Sequence, residues 1–253
     1  AGFASGLFGI GGGIVRIPIF MFLLPVFGVA HTVVMHVAIG TSVALVIPTA
    51  IIATRKQYKL GNFDWKFYRT WAIGILAGVM IGMLLIPYLS TEVLQGIFAG
   101  FLLAVGCYMG FAKPNMVITK QPPEGILRAG LGTFVGGFAA LTGTGGGAIA
   151  GPTLKAFSVP LKKAIATASA TGLVVGTVAT IAMVIQGWSF PGRPSPALGY
   201  VDVIVFCAML PTTLIGTPLG VKVNQALPQR VLRVIYTILL FVIAAYVISK
   251  LVR

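Results

Sequence analysis

Two stretches of this chain have the residue types and spacing to hold a small anion. GIGGGIVRIP, Gly9 to Pro18, returns as GTGGGAIAGP, Gly143 to Pro152. Each copy sets successive glycines, Gly11, Gly12 and Gly13 or Gly145, Gly146 and Gly147, just ahead of an apolar run that carries a proline. A helix starting there leaves its first backbone N–H groups without intrahelical partners, and the aligned peptide dipoles add partial positive charge. Glycine lets the backbone approach a ligand closely. Two such donor clusters could converge on one oxyanion. The alternative, that the glycines merely permit close helix packing, is weakened by two copies in register. A nucleotide-binding loop is excluded, since it needs a preceding strand and a soluble sheet.

Hydroxyls are the next candidates. Thr41 and Ser42 in AIGTSVA (Ala38 to Ala44) match Thr167 and Ala168 in AIATASA (Ala164 to Ala170), and Thr144 sits in the second glycine run. They could stand in for water around an oxyanion, although membrane Ser and Thr commonly bond their own helix or a neighbour. Arg16, four residues after Gly12, has Ala150 as its counterpart. A charge inside an apolar stretch is expensive. It either reaches the outer face or supplies one positive charge to an anion path. His36 reads as a hydrogen-bonded structural residue or, less readily, a proton relay.

Other chemistries find little support. No nucleophile, base and orienting group occur together, so an enzyme is not expected. Two histidines and the isolated Cys107 and Cys207 make no metal constellation, and no cofactor is expected. Both cysteines read as small buried hydrophobes. The acids Asp64, Glu92, Glu124 and Asp202 fall near the borders of apolar runs. Asp64 in GNFD and Asp202 in GYVD, a matched pair, look like helix N-caps. With no carboxylate at mid-depth, a cation substrate is disfavoured.

The elements that position these residues follow from composition. Apolar residues make up 57% of the chain and charged ones 9%, with a mean hydropathy of +1.01, values outside the range of soluble domains. The net charge of +14 comes from lysines and arginines in short loops, which act as topology signals. No basic stripe interleaved with aromatics suggests nucleic acid. Apolar runs at Val33 to Thr54, Phe67 to Leu89, Val93 to Phe111, Ala164 to Ile185, Val201 to Val223 and Val231 to Ile248 fit spanning helices. Leu127 to Pro160 is too long for one straight span and too short for two plus a turn, which leaves a re-entrant hairpin or a helix broken at mid-depth.

The chain thus reads as an all-α integral membrane protein of two homologous halves, residues 1–120 and 121–253, together one transport domain. Each half is a glycine-broken, re-entrant helical hairpin plus three transmembrane helices. Gly78 and Gly82 match Gly216 and Gly220 as GxxxG pairs, which could pack within the chain or between chains of a homodimer. If the broken elements are hairpins, the halves are inverted. One face then gathers Arg55, Lys56, Lys59, Lys66, Arg69, Lys113, Lys120, Arg128, Lys155, Lys162, Lys163, Lys222, Arg230 and Arg233, leaving Arg193, Lys250 and Arg253 opposite. Full spans would give the same sign but a weaker asymmetry, so the positive-inside rule favours inversion. Ala1 falls inside the first element by the repeat spacing, so the N-terminus is expected to be incomplete. Matched broken elements in two halves point to a transporter site.

Paired GxGGG motifs, AxGTS-like segments after them and a compact basic membrane chain together resemble the TauE/SafE family of sulfite exporters and sulfur-anion permeases. The likeness covers nearly the whole chain. It implies a bacterial or archaeal cytoplasmic-membrane protein that moves sulfite, sulfonates or related sulfur oxyanions. It also implies a substrate region at Gly11 to Gly13, Gly145 to Gly147, Thr41, Ser42 and Thr167. Alternating access is the expected mechanism. An anion channel, or a non-transporting membrane anchor of a sulfur-metabolising complex, is the alternative.

Overall fold

A computed structural model of the chain describes residues 2–3, 7, 12–111, 119, 121–189 and 196–251. These residues are helical throughout, apart from short turns and one ribbon. The helices are α1 (Gly13–Val26), α2 (Val34–Lys59), α3 (Trp65–Leu85), α4 (Thr91–Phe111), α5 (Gly125–Thr142), α6 (Gly147–Ala156), α7 (Leu161–Gly187), α8 (Val203–Ala226) and α9 (Gln229–Leu251). The ribbon pairs β1 (Ala197–Leu198) with β2 (Val201–Asp202) antiparallel just before α8.

Among the described residues, α2, α3, α4, α5, α7, α8 and α9 supply segments long and apolar enough to cross a membrane. Large apolar side chains such as Ile81, Ile181, Ile215 and Val242 stand exposed on the outer faces. A water-soluble chain could not carry that much exposed apolar surface. The protein is an all-α, multi-pass membrane protein.

The spans number one more than the apolar runs suggested. α5 holds many small residues and Arg128, which blurs its pattern, yet its 18 residues rise about 27 Å, close to the roughly 30 Å of hydrocarbon. α6 has only 10 residues, about 15 Å, half that depth. Cys107 and Cys207 are exposed rather than packed inside.

Helix ends follow local chemistry. Asp64 accepts from the Phe67 N–H at 3.0 Å and caps α3, and Asp202 accepts from the Val205 N–H at 2.9 Å and caps α8. The matched acids are the N-caps their positions suggest. α2 runs past its apolar stretch through Arg55, Lys56 and Lys59, because cations suit the negative end of a helix.

Contacts fix the helix directions. Gly74, Gly78 and Gly82 of α3 sit against Ala129, Thr133 and Gly137 of α5 in ascending order, so α3 and α5 are parallel. Tyr68, Trp71 and Met83 of α3 bond Ala170, Thr171 and Gln186, so α7 is parallel to α3 as well. Gly172 and Gly176 of α7 meet Ala50 and Ile47 of α2 in reverse order, so α2 and α7 are antiparallel. α4 and α9 are antiparallel too, with Gly106 against Leu240 and Gly110 against Thr237.

One GxxxG pair is used within the chain, Gly78 and Gly82 against α5, and Gly216 of the other pair meets the backbone of Gly2 and Phe3. α5 and α7 both start at the end of the bundle where α3 starts, so α6, which leads into α7, runs back toward that end. The end is basic. Lys163 pairs with Asp64 at 3.0 Å, Arg128 lies 4.2 Å above the Phe67 ring centroid, and Ser158 donates to the Thr119 carbonyl.

Candidate functional site

The hairpin tip is closed by its own backbone. The Gly143 N–H reaches the Ala140 carbonyl at 3.3 Å and the Thr144 N–H reaches that of Ala139 at 3.3 Å, a Schellman closure that requires left-handed backbone at Gly143. The chain then restarts as α6. The residue ahead of α6 is Gly146, with φ 79° and ψ −23°, and the residue ahead of α1 is Gly12, with φ 74° and ψ −12°. Both copies adopt the same left-handed geometry that L side chains resist. Neither helix has a side-chain cap at its start, so the leading N–H groups are left to the surroundings.

Proline deepens the match. Pro18 cannot donate to the Ile14 carbonyl, nor Pro152 to that of Ala148, so each short helix carries a freed acceptor one turn in.

The two breaks touch. A Cβ placed on Gly13 would lie 2.5 Å from the Thr144 Cα and 2.6 Å from the Gly143 carbonyl oxygen, so backbone packs on backbone. A Cβ on Gly145 would lie 2.6 Å from Val46, and one on Gly146 would lie 2.9 Å from Thr171. Val46 and Thr171 fall near the middle of α2 and α7. α1 leads from this contact to the start of α2, and α6 leads to the start of α7 at the basic end. The starts of α1 and α6, with their partial positive charge, therefore meet beside the middle of α2 and α7.

Side chains hold the contact in place. Ser42 donates to the Gly143 carbonyl at 2.8 Å and pins α2 to the turn. Thr142 and Thr144 hydroxyls lie 3.1 Å apart, with Thr142 also donating to Phe138 at 2.7 Å. Gly147 differs from its neighbours: a Cβ there would have only the Ala168 carbonyl, at 3.8 Å, within van der Waals range.

The sequence candidates divide accordingly. Gly12, Gly13, Gly145, Gly146, Gly147, Thr144 and Ser42 come together at this contact, whereas Gly11 lies outside the described residues. Thr41 is fully buried, and its hydroxyl accepts the Asp202 N–H at 3.0 Å, on the ribbon side of α2. Thr167 is buried one turn before Thr171, and its carbonyl accepts the Thr171 hydroxyl at 2.9 Å. Arg16 is only 1% exposed, so its guanidinium is enclosed by protein rather than extended to the surface. His36 packs against the Tyr200 ring at 5.3 Å, with its Nε2 3.4 Å from the Ile86 carbonyl.

Sequence reading missed one partner. Trp71 is fully buried and donates its indole N–H to Thr171 at 2.8 Å. A tryptophan inside a span, whose N–H must find an acceptor, was the available signal. Among the described residues no three His, Cys, Asp or Glu side chains gather to hold a metal ion.

Comparison with known proteins adds the family. The model of the sulfite exporter TauE/SafE family matches residues 1–247. A "Probable membrane transporter protein" of Haemophilus influenzae is 31% identical over 99% of this chain and 95% of its own length. One from Methanocaldococcus jannaschii is 28% identical over 98% of this chain and 91% of its own length. One from Bacillus subtilis is 27% identical over 99% and 94%. No solved structure matches the chain. A helical membrane bundle built around two abutting glycine breaks, matched by that family's model over nearly its full length, belongs to the TauE/SafE sulfite exporter family of membrane transporters.

Proposed function

We propose that the protein exports small sulfur-containing oxyanions, such as sulfite or organosulfonates, across the cytoplasmic membrane by alternating access. The anion is held where the two glycine breaks meet. The observation that carries this reading is the contact of Gly13 with Gly143 and Thr144 between two uncapped helix starts. Helix starts aimed at one point favour negative charge there. Gly11, Gly12, Gly13, Gly145, Gly146 and Gly147 supply backbone donors. Thr144 and Ser42 supply hydroxyls at the contact, Thr41 and Thr167 brace α2 and α7 beside it, and Arg16 balances charge from within the protein.

Residues 1–120 and 121–253 act as inverted repeats in this mechanism. The opposed directions of α2 and α7, and of α1 and α6, support that arrangement. So does the basic end, which the positive-inside rule sets on the cytoplasmic side. With a potential of about 100 mV, negative inside, each anionic charge moved outward gains about 2.3 kcal/mol. Export therefore needs no coupling ion.

The test is labelled-sulfite flux in proteoliposomes for the wild type and Gly147→Ala. The added methyl makes only an ordinary contact, with the Ala168 carbonyl at 3.8 Å, so the variant should fold and yet lose at least tenfold in flux. Wild-type flux should saturate and show exchange. Undiminished flux in Gly147→Ala, or wild-type flux linear in concentration, would defeat the carrier reading.

A further inference from the structure

The basic end carries a cavity of about 560 Å³ between the α2–α3 turn and the start of α7, lined in part by Asn62, Asp64, Trp65, Lys162 and Lys163. We propose that this cavity is an oxyanion capture site, the point at which the transported anion enters from the basic face. The inference rests on the transport reading above and gives it a route.

Charge is the first argument. Lys163 is paired with Asp64, while Lys162 lines the same wall with no carboxylate within ion-pair distance among the described residues. Two ammonium groups against one carboxylate leave the cavity net positive, and a concave basic site concentrates small anions ahead of binding.

The second argument is what lies behind it. Lys163, Thr167 and Thr171 are spaced four apart and share one face of α7, and Asp64, Tyr68 and Trp71 share one face of α3. These faces meet. Lys163 bonds Asp64 at 3.0 Å, the Tyr68 hydroxyl donates to the Ala170 carbonyl at 2.9 Å, and the Trp71 indole donates to Thr171 at 2.8 Å. Thr171 in turn touches Gly146. A row of hydrogen-bond donors therefore runs from the cavity to the glycine contact. Tyr68, Trp71 and Thr171 each hold a partner in this structure, so passage means that anion oxygens replace those acceptors as α3 and α7 part.

The third argument is that the row exists once. By the match of AIGTSVA with AIATASA, Lys163 and Thr171 correspond to Val37 and Leu45, and by that of GNFD with GYVD, Tyr68 and Trp71 correspond to Phe206 and Met209. The loop matching Gly61 to Asp64 is Gly199 to Asp202, which is packed against α2 through the Asp202 N–H on Thr41. A smaller cavity of about 250 Å³ opens at the other end beside Thr32, His36, Ser90 and Tyr200, but the positions that match Lys163, Tyr68, Trp71 and Thr171 are apolar there.

The test uses the purified protein and iodide, an anionic quencher of tryptophan fluorescence, with a Trp65→Phe variant to isolate the Trp65 signal and neutral acrylamide as control. Iodide quenching of Trp65 should fall roughly three- to tenfold in Lys162→Gln/Lys163→Gln, rise in Asp64→Asn, and shrink with salt. Asn at position 64 keeps the oxygen that caps α3. Sulfite should displace iodide. In proteoliposomes the double variant should lose roughly three- to tenfold in Vmax/KM at low salt and recover toward wild type at high salt.

Wild-type protein that transports sulfite saturably, with Trp65 quenching indifferent to the lysines or to sulfite, would overturn the capture site and leave the transport reading standing. Displacement of iodide by phosphatidylglycerol but not sulfite would also overturn it, giving the cavity to a lipid headgroup. Sulfite displacing iodide from a protein that moves no anion would instead sink the transport reading and, with it, the cavity's role as an entry point, leaving anion binding alone.

Discussion

GNFD and GYVD occupy matched places in the two segments of the chain, and the structure treats them differently. Asp64 and Asp202 make the same cap on the helix that follows, with bonds of 3.0 and 2.9 Å. Gly61 and Gly199 both have positive φ, 67° and 59°. The surroundings diverge. A Cβ on Gly61 would meet nothing within 4 Å, whereas one on Gly199 would overlap the Val184 backbone. Asp64 is open to solvent beside Lys163, and Asp202 is 4% exposed with its N–H on Thr41. Local sequence sets the turn and the cap. Packing decides whether the loop stays open to solvent or is held against the core.

The glycine pair gives the largest separation. Gly199→Ala combines positive-φ strain with a backbone clash and should cost about 3 kcal/mol or more, read as thermal unfolding in detergent. Gly61→Ala carries the strain alone and should cost about 1 kcal/mol. Equal losses would remove the contrast between the two loops.

Next in size is Thr41→Val, which keeps the shape and orphans the buried Asp202 N–H, for about 1–3 kcal/mol. The same loss should appear as faster amide exchange at the ribbon, with residues 61–64 unchanged. Smaller again, Asp64→Ala should cost about 1 kcal/mol through the lost cap, while Asp64→Asn should be near neutral.

The smallest effect is acid titration of the Asp64 cap. The Phe67 N–H, and then Lys163, hold the Asp64 carboxyl below its usual range. A carboxylate depressed on folding contributes stability above its unfolded pKa of about 3.9 and loses it as pH falls through the lower folded value. The cap and ion pair should therefore persist at pH 5 and fade only in stronger acid. A shift of the Asp64 carboxyl resonance to a midpoint above 4 would contradict this.

Much of this was legible in residue types. The GxGGG repeats mark where two helices start, and the left-handed backbone found at Gly12 and Gly146 is one that glycine adopts readily. GxxD identifies both caps. What was hidden depends on partners far along the chain. Trp71 and Thr171 are a hundred residues apart, so neither span announces the pair. The ribbon at Ala197 to Asp202 has strands of two residues each, too short for any alternation to register. Arg16 could be read toward the outer face or toward the core until its neighbours were placed. α5 escaped as a separate span because glycine and alanine dilute its apolar signal.

Anion binding at the paired breaks can be measured apart from transport. Thermal stabilisation by sulfite, thiosulfate, sulfate, phosphate and chloride would be compared in the wild type and Gly147→Ala. A sulfur oxyanion at about one hundred times its Kd should stabilise the wild type by about 2.7 kcal/mol. Gly147→Ala should unfold normally without ligand and gain little from it. Equal stabilisation of both proteins would show that the anion binds elsewhere and that the glycine contact serves packing alone.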